Sequence, residues 1–331
     1  MRLVTGATGL VGGHLLYRFR ESATTTIALY RNIDHIEKTR FVFACYDPLH
    51  ADLVDNFIWK PADILEVPSL DEVMPGVKEV YHCAAALKAP SFEQLKRVNI
   101  MGTENVVNVA LAHGVKKFCH VSSIAALGDS VGSQPISEED FFNLDANNTD
   151  YAISKYGAEM EAWRATQEGM DVVIVNPGII LGAGSWDNSS GQLFSKMDDG
   201  NKFYTSGASG FVDVRDVVEI MQHLMESDII NERFILVAEN CSYKNILDGI
   251  AREFGVKRPS FKIGSYLLSF LVMLSFIKSI FTRTSVFRSS NVQSLVSKTR
   301  YSNMKIKDQL GYEFRDVAET ISRVCDLYRT H

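Results

Sequence analysis

Short apolar runs alternate with longer stretches of mixed polarity along the first half of the chain. The runs are Arg2–Thr5, Thr25–Tyr30, Phe57–Lys60, Val80–Ala86, Lys117–Val121 and Asp171–Val175. Each is short, rich in β-branched and aromatic residues, and apolar almost throughout, the pattern of strands covered on both faces. Helical periodicity fills the intervals from about Leu10 to Phe19, around Pro68–Met74, from Ser91 to His113, and from Tyr151 onward. Residues 41–56 are polar-aromatic, follow neither period and are expected to be irregular. Strand alternating with helix in this way predicts an α/β protein built on a doubly wound parallel sheet. No internal repeat or low-complexity stretch interrupts it. The expected division is a dinucleotide-binding domain over 1–176, with segments near 203–240 returning to it, and a smaller, mostly helical substrate domain over 177–331.

The turn after the first run carries chemistry. Gly6-Ala7-Thr8-Gly9-Leu10-Val11-Gly12 stands between a strand and a helix, the context of a dinucleotide-binding fingerprint. Gly6 permits the tight turn, Gly9 lets the backbone approach a pyrophosphate, and Gly12 lets the helix lie close on its strand. Thr8, Leu10 and Val11 complete the loop, and the free N–H groups of the helix start, with its dipole, hold phosphate. At the end of the second run an acidic residue usually holds the ribose of NAD. Here Tyr30 and Arg31 stand there. A cation at that place pairs with a 2′-phosphate, so NADP is expected ahead of NAD; Asp34, close by, keeps NAD open.

Tyr151-Ala152-Ile153-Ser154-Lys155 puts a phenol and an ammonium on one helical face. A phenol titrates near pH ~10, and a nearby cation favours its phenolate. Tyr151 can then exchange a proton with a substrate oxygen while hydride moves at the adjacent carbon, and Lys155 can also bond the nicotinamide ribose. The same spacing recurs at Tyr301-Ser302-Asn303-Met304-Lys305. Context separates the two: Tyr151 lies between two strands whose carboxyl ends face a ligand site, whereas Tyr301 follows the completed sheet and is read as packing. Ala84 and Ala85, at the end of the fourth run, are small enough to leave room for a crossing cofactor. His82 beside them is read as a packed core residue.

These segments together resemble the extended branch of the short-chain dehydrogenase/reductase superfamily. The resemblance rests on G-x-x-G-x-x-G after Val4-Thr5, on His82-Cys83-Ala84-Ala85, on Val98-Asn99-Ile100-Met101-Gly102-Thr103-Glu104-Asn105, and on Ser122-Ser123 five residues before Gly128. Tyr151 with Lys155, Asn176-Pro177-Gly178 with Gly182, and Phe211 to Val217 extend it. It covers about 1–255 well and the tail loosely, where the closing segments look like those of dihydroflavonol reductases and hydroxysteroid dehydrogenases. It implies a Rossmann fold, with Ser123, Tyr151 and Lys155 at the reacting centre and Asn99 ordering it; Ser122 is the alternative serine. It further implies Asp63, followed by Ile64, at the adenine amino group, and Pro177 and Gly178 closing over the nicotinamide. Asp63 read alone also suits a helix cap. Asp216 is expected to anchor the helix it opens.

The departures narrow the activity. Dehydratases of this branch carry Asp-Glu after the serine, where Ile124-Ala125 stand here. Many epimerases carry a Tyr before the glycine, where Leu127 stands. No arginine-rich R-P-G-D stretch follows Pro259; Arg283, Arg288 and Arg300 are scattered. Diphosphate binding needs clustered cations. The expected activity is therefore hydride transfer between NADP and a carbonyl or secondary alcohol of a small, fairly apolar substrate. A nucleotide-sugar 4-epimerase with retained NAD is the alternative, and a non-enzymatic dinucleotide-binding redox sensor the third reading.

At 331 residues the chain suits one large domain or two merged ones. Its net charge of −6, from 34 basic and 40 acidic residues without a basic run, excludes a nucleic-acid partner. Five scattered cysteines without a C-x-x-C suit reduced thiols in a cytosolic protein and offer no zinc site. A core strand beginning at Arg2 speaks against a signal peptide. Tyr266 to Phe281 is almost wholly apolar but short for a membrane span and broken by Lys278. A lid over an apolar substrate site is favoured for it, ahead of a helix lying on a membrane surface and of an interface within a homodimer.

Overall fold

The computed structural model describes residues 1–128, 134–187, 190–264 and 295–330. Six strands occupy the expected runs: β1 (Arg2–Thr5), β2 (Thr26–Tyr30), β3 (Ile58–Pro61), β4 (Glu79–His82), β5 (Lys117–Val121) and β6 (Asp171–Pro177). Beyond them come β7 (Ile179–Leu181), β8 (Phe203–Tyr204), β9 (Ala208–Asp213), β10 (Glu232–Leu236), β11 (Glu239–Ser242) and β12 (Phe261–Lys262). The main sheet has seven strands in the order β10-β6-β5-β4-β1-β2-β3, every neighbouring pair parallel. Strand order reverses between β1 and β4, and the crevice outside their carboxyl ends is where such sheets bind ligands.

Helices cover both faces. α1 (Leu10–Arg18), α2 (Ile36–Tyr46) and, later in the chain, α8 (Val214–Glu226) bury Leu15, Leu16, Phe43, Val217 and Ile220 against one face. On the other lie α3 (Val67–Val73), α4 (Phe92–Lys96), α5 (Gly102–Ala112) and α6 (Asp150–Gln167), burying among others Leu70, Val106, Val107 and Ala162. Successive strand residues feed opposite layers: Val4 one and Leu3 the other, Val173 one and Val172 the other. That alternation explains why each run reads as continuously apolar. A second core joins β7 and β9 to α7 (Gly191–Asp198), α9 (Tyr243–Phe254) and α11 (Val317–Thr330) through Leu181, Phe194, Phe211, Ile250 and Ile321. A short α10 (Met304–Leu310) precedes α11. Buried Asp216 anchors α8 as expected, accepting bonds from the Tyr312 hydroxyl at 2.9 Å and the Arg315 amide at 3.1 Å.

Two segments depart from the sequence expectation. Residues 41–56 are not irregular. Their first part belongs to α2, which buries Thr39, Val42, Phe43 and Cys45 at helical spacing, and Pro48–Asn56 forms 3₁₀ turns. The aromatic and β-branched residues of α2 have weak intrinsic helix preference, and packing supplies the difference. The helix expected over 91–113 is interrupted by a π-helical turn, Arg97–Met101. Such bulges recur at functional sites, and this one carries Asn99 inward. Among the described residues no helix is long and apolar enough to cross a membrane. The stretch 266–281 lies outside the described residues, as do Arg283 and Arg288.

Candidate active site

A cleft of about 730 Å³ opens at the carboxyl ends of β1, β4, β5 and β6. The first wall is the glycine loop. Gly6 has φ +64°, and a Cβ there would lie 2.7 Å from the Ala84 nitrogen, so only glycine fits against the β4 end. A Cβ on Gly12 would lie 2.2 Å from the Gly6 carbonyl oxygen, which holds α1 hard against the turn. Gly9 is the N-cap of α1 and no side chain caps it. The first N–H groups of α1 therefore have no side-chain acceptor and face the cleft beside Thr8, Leu10 and Val11. This is a cradle fitted to a phosphate.

The opposite wall is built from β5, β6 and α6. Ser123 follows the end of β5; its Oγ accepts the Ala125 N–H at 3.1 Å and is hydrogen-bonded to the Tyr151 hydroxyl. Ser122 is occupied elsewhere, donating to Glu159 Oε2 at 2.6 Å. Thr149 caps α6 by accepting the Ala152 N–H at 3.0 Å, which starts the helix so that Tyr151 and Lys155 face the cleft one turn apart. Lys155 is 2 % exposed, and its Nζ donates to the Val121 carbonyl at 2.8 Å. Burial lowers its pKa to about 8, against the raising influence of Glu159 and Cys83. Burial raises the pKa of Tyr151, and the bond from Ser123 only partly offsets it. The sequence led us to expect Lys155 to favour the phenolate. The desolvation of the ring is the dominant influence on Tyr151.

Asn99 is 1 % exposed and every polar atom of its amide is committed. Oδ1 accepts the Ala86 N–H at 2.7 Å; Nδ2 donates to the Ala86 carbonyl at 2.9 Å and to Ser154 Oγ at 2.9 Å. It thus pins the segment after β4 to α6 at Ser154, the residue before Lys155. His82 is a core residue as expected. Burial lowers its pKa to about 3, and its ring nitrogens are bonded to the Thr5 hydroxyl at 2.8 Å and the Thr103 hydroxyl at 3.0 Å.

The cleft brings together Gly6, Thr8, Gly9, Leu10, Val11, Gly12, Ala85, Ser123, Tyr151, Lys155, Pro177 and Gly178. Other candidates stand outside its lining. Ala84 backs Gly6. Ile64 is buried in the layer beneath and packs against Gly102. Asp63 accepts the Leu65 N–H at 3.0 Å through Oδ1, a local turn just ahead of α3. Arg31 is exposed on the surface. The cation at the glycine-loop wall is Lys38, on α2 beside Val42. Tyr301 packs against Ile124, Leu127, Ile136, Ile235 and Val237, as expected, but it also lines the cleft. The sequence reading did not single out Lys38 or Glu159. For Glu159 a signal existed, since it falls one turn after Lys155 on the same helical face.

Comparison with known proteins agrees with this fold. The family model for the NAD dependent epimerase/dehydratase family matches residues 2–236. The chain is 27 % identical over 319 residues to sterol demethylase protein B of Methylococcus capsulatus, covering 93 % of this chain and 92 % of that protein. It is 26 % identical over 336 residues to cinnamoyl-CoA reductase 1 of Petunia hybrida, covering 96 % and 89 %. Among solved structures, that of gox2253 aligns over 100 % of this chain and 98 % of its own, with a TM-score of 0.83 and 25 % identity.

Proposed function

Because this chain belongs to the NAD dependent epimerase/dehydratase family, we propose that it transfers hydride between NADP and a carbonyl or secondary alcohol of an uncharged, fairly apolar small molecule. It is an enzyme of the extended short-chain dehydrogenase/reductase type. The observation that carries the proposal is the meeting of Ser123, Tyr151 and Lys155 on one wall of the cleft, facing the glycine loop. A nicotinamide cofactor held against the glycine loop would supply the hydride chemistry. Ser123 donates its hydroxyl hydrogen to the substrate oxygen and polarises the carbonyl. Tyr151 gives that oxygen its proton as the carbon is reduced, and Lys155 stabilises the phenolate left behind. Burial holds Tyr151 in its protonated form, which suits the reductive direction. Among the described residues, Ile179, Ser209, Tyr243 and Tyr301 carry the chain's second half into the substrate side.

The lining supports an uncharged substrate. Among the described residues, Lys38 and Lys155 are the charged side chains of the cleft. Lys38 stands with the glycine loop and Lys155 beneath Tyr151. The remaining wall offers Ile124, Leu127, Ile136 and Ile179 with the hydroxyls of Ser209 and Tyr243. Among the described residues, this part of the wall offers no cation to receive the diphosphate of a nucleotide-sugar.

Two results are expected at this level. Lys38→Glu weakens NADPH binding about fivefold and NADH binding less, since an exposed charge pair with a phosphate is worth up to about 1 kcal/mol and Lys38 is exposed. Isothermal titration with both cofactors checks it. For the pH dependence, the protonated form of Lys155 is the one that supports Tyr151, so kcat/KM falls as pH rises through about 8. Tyr151, raised above its ordinary value, adds no limb below that. A profile flat from pH 7 to 10 would contradict these assignments. The proposal itself is tested by NADPH oxidation against a panel of uncharged ketones and aldehydes, with UDP-glucose and UDP-galactose alongside. Ketone reduction supports it; interconversion of the sugars without net oxidation favours a 4-epimerase.

A further inference from the structure

We propose that Glu159 is the positioning residue of this site: one of its carboxylate oxygens holds both turns that form the reacting wall, and the other ties them to the substrate wall. Its Oε2 accepts the Ser122 hydroxyl at 2.6 Å and the Asn176 amide at 2.8 Å. Asn176 Nδ2 also donates to the Ser123 carbonyl at 3.0 Å. The backbone of Ser123 is thereby fixed from the neighbouring strand, and with it the direction of its hydroxyl toward Tyr151. Oε1 receives Arg233 Nη1 at 3.1 Å and the Trp163 indole N–H at 3.4 Å.

Arg233 carries the link onward. Its Nε donates to the Glu138 carbonyl at 2.9 Å and its Nη2 to the Asp140 carbonyl at 3.1 Å. Glu138 in turn accepts the Ile235 N–H at 2.8 Å. That loop leads from Ile136, which lines the cleft and pairs with the Tyr301 segment: its N–H donates to Arg300 at 2.8 Å and its carbonyl accepts Ser302 at 2.7 Å. The network thus joins the ends of β5 and β6, the strand β10, and the far wall.

Glu159 and Asn176 are both 0 % exposed. Enclosing a carboxylate and an arginine is costly, and apolar residues of similar size commonly do as well or better for stability. What an apolar side chain cannot do is bring donors from three adjacent strands to one point. The serine and the tyrosine must be held to within about 0.5 Å for proton transfer, and this carboxylate sits one helical turn from Lys155 on the helix that carries Tyr151.

The role rests on the reading of Ser123 and Tyr151 as the reacting groups. Its test uses the full chain saturated with NADPH, comparing wild type, Glu159→Gln and Ser122→Ala. Hydrogen exchange by mass spectrometry should quicken in the segments 121–128 and 174–180 and stay unchanged in the glycine loop. With the ketone that wild type reduces best, Glu159→Gln should lower kcat about 30-fold, the worth of a hydrogen bond to a charged group, with KM and NADPH affinity within about threefold. Ser122→Ala, which leaves the ion pair in place, should fold and lower kcat about fivefold. Local exchange that quickens with kcat unchanged would make Glu159 a structural residue only and overturn the proposal, as would unchanged exchange in both variants. Failure of wild type to reduce any ketone would instead remove the functional reading, while the exchange data would still decide whether the clamp exists.

Discussion

Tyr151→Phe is expected to lower kcat by about 10²–10⁴-fold, the usual worth of a positioned general acid, while NADPH affinity stays within about twofold. The phenyl ring fills the same part-buried space, so the helix and its Thr149 cap are undisturbed. Ser123 keeps its bond to the Ala125 N–H. What disappears is the one hydroxyl that faces both Ser123 and the cleft. The loss should fall on kcat, because the proton moves only as the carbon is reduced. Steady-state rates at 340 nm with matched cofactor titrations check it. Retained turnover would remove Tyr151 from the chemistry and shift attention to Tyr243 and Tyr301, the other tyrosines lining the cleft.

Gly12→Ala is expected to raise the Kd for NADPH by at least about 100-fold and to lower Tm. An added methyl would sit 2.2 Å from the Gly6 oxygen and 2.8 Å from the Ala7 Cα. Both neighbours are backbone, so the start of α1 must move, and overpacking of this kind costs roughly 1–3 kcal/mol. The phosphate cradle moves with it. The adjacent glycine provides the control. A Cβ on Gly13 would meet Val42 Cγ2 at 3.5 Å, an ordinary contact. Gly13→Ala should therefore bind NADPH normally and gain up to about 1 kcal/mol of helix preference. Calorimetric melting and cofactor titration of the two variants decide the matter. Equal behaviour would mean that the close approach of α1 to the loop is not what builds the site.

Most of the central sheet was legible because its strands are buried on both faces and therefore announce themselves as apolar runs. β10 was not, since it opens with Glu232 and Arg233, and Arg233 is a part-buried partner of the buried Glu159 that looks like a surface residue in one dimension. The same reason hid Glu159. Tyr151, Lys155 and the glycine loop were legible because their chemistry depends on local spacing. Lys38 was not, because its position depends on α2, whose helical character comes from packing over the glycine loop. The Thr39 hydroxyl bonding the Ala7 carbonyl at 3.1 Å marks that contact. The π turn at Asn99 breaks a helical period by one residue, too little to see against a continuous amphipathic run.

The most direct test of the account follows the hydride. NADPH dideuterated at the nicotinamide C4 is incubated with the protein and an uncharged ketone, and the alcohol is analysed by mass spectrometry. The account predicts one deuterium in each alcohol, matched by one NADP⁺ formed, with labelled alcohol accumulating about 10²–10⁴-fold more slowly with Tyr151→Phe. Absence of deuterium from every product, with UDP-sugars epimerised by a tightly retained NAD, would contradict it.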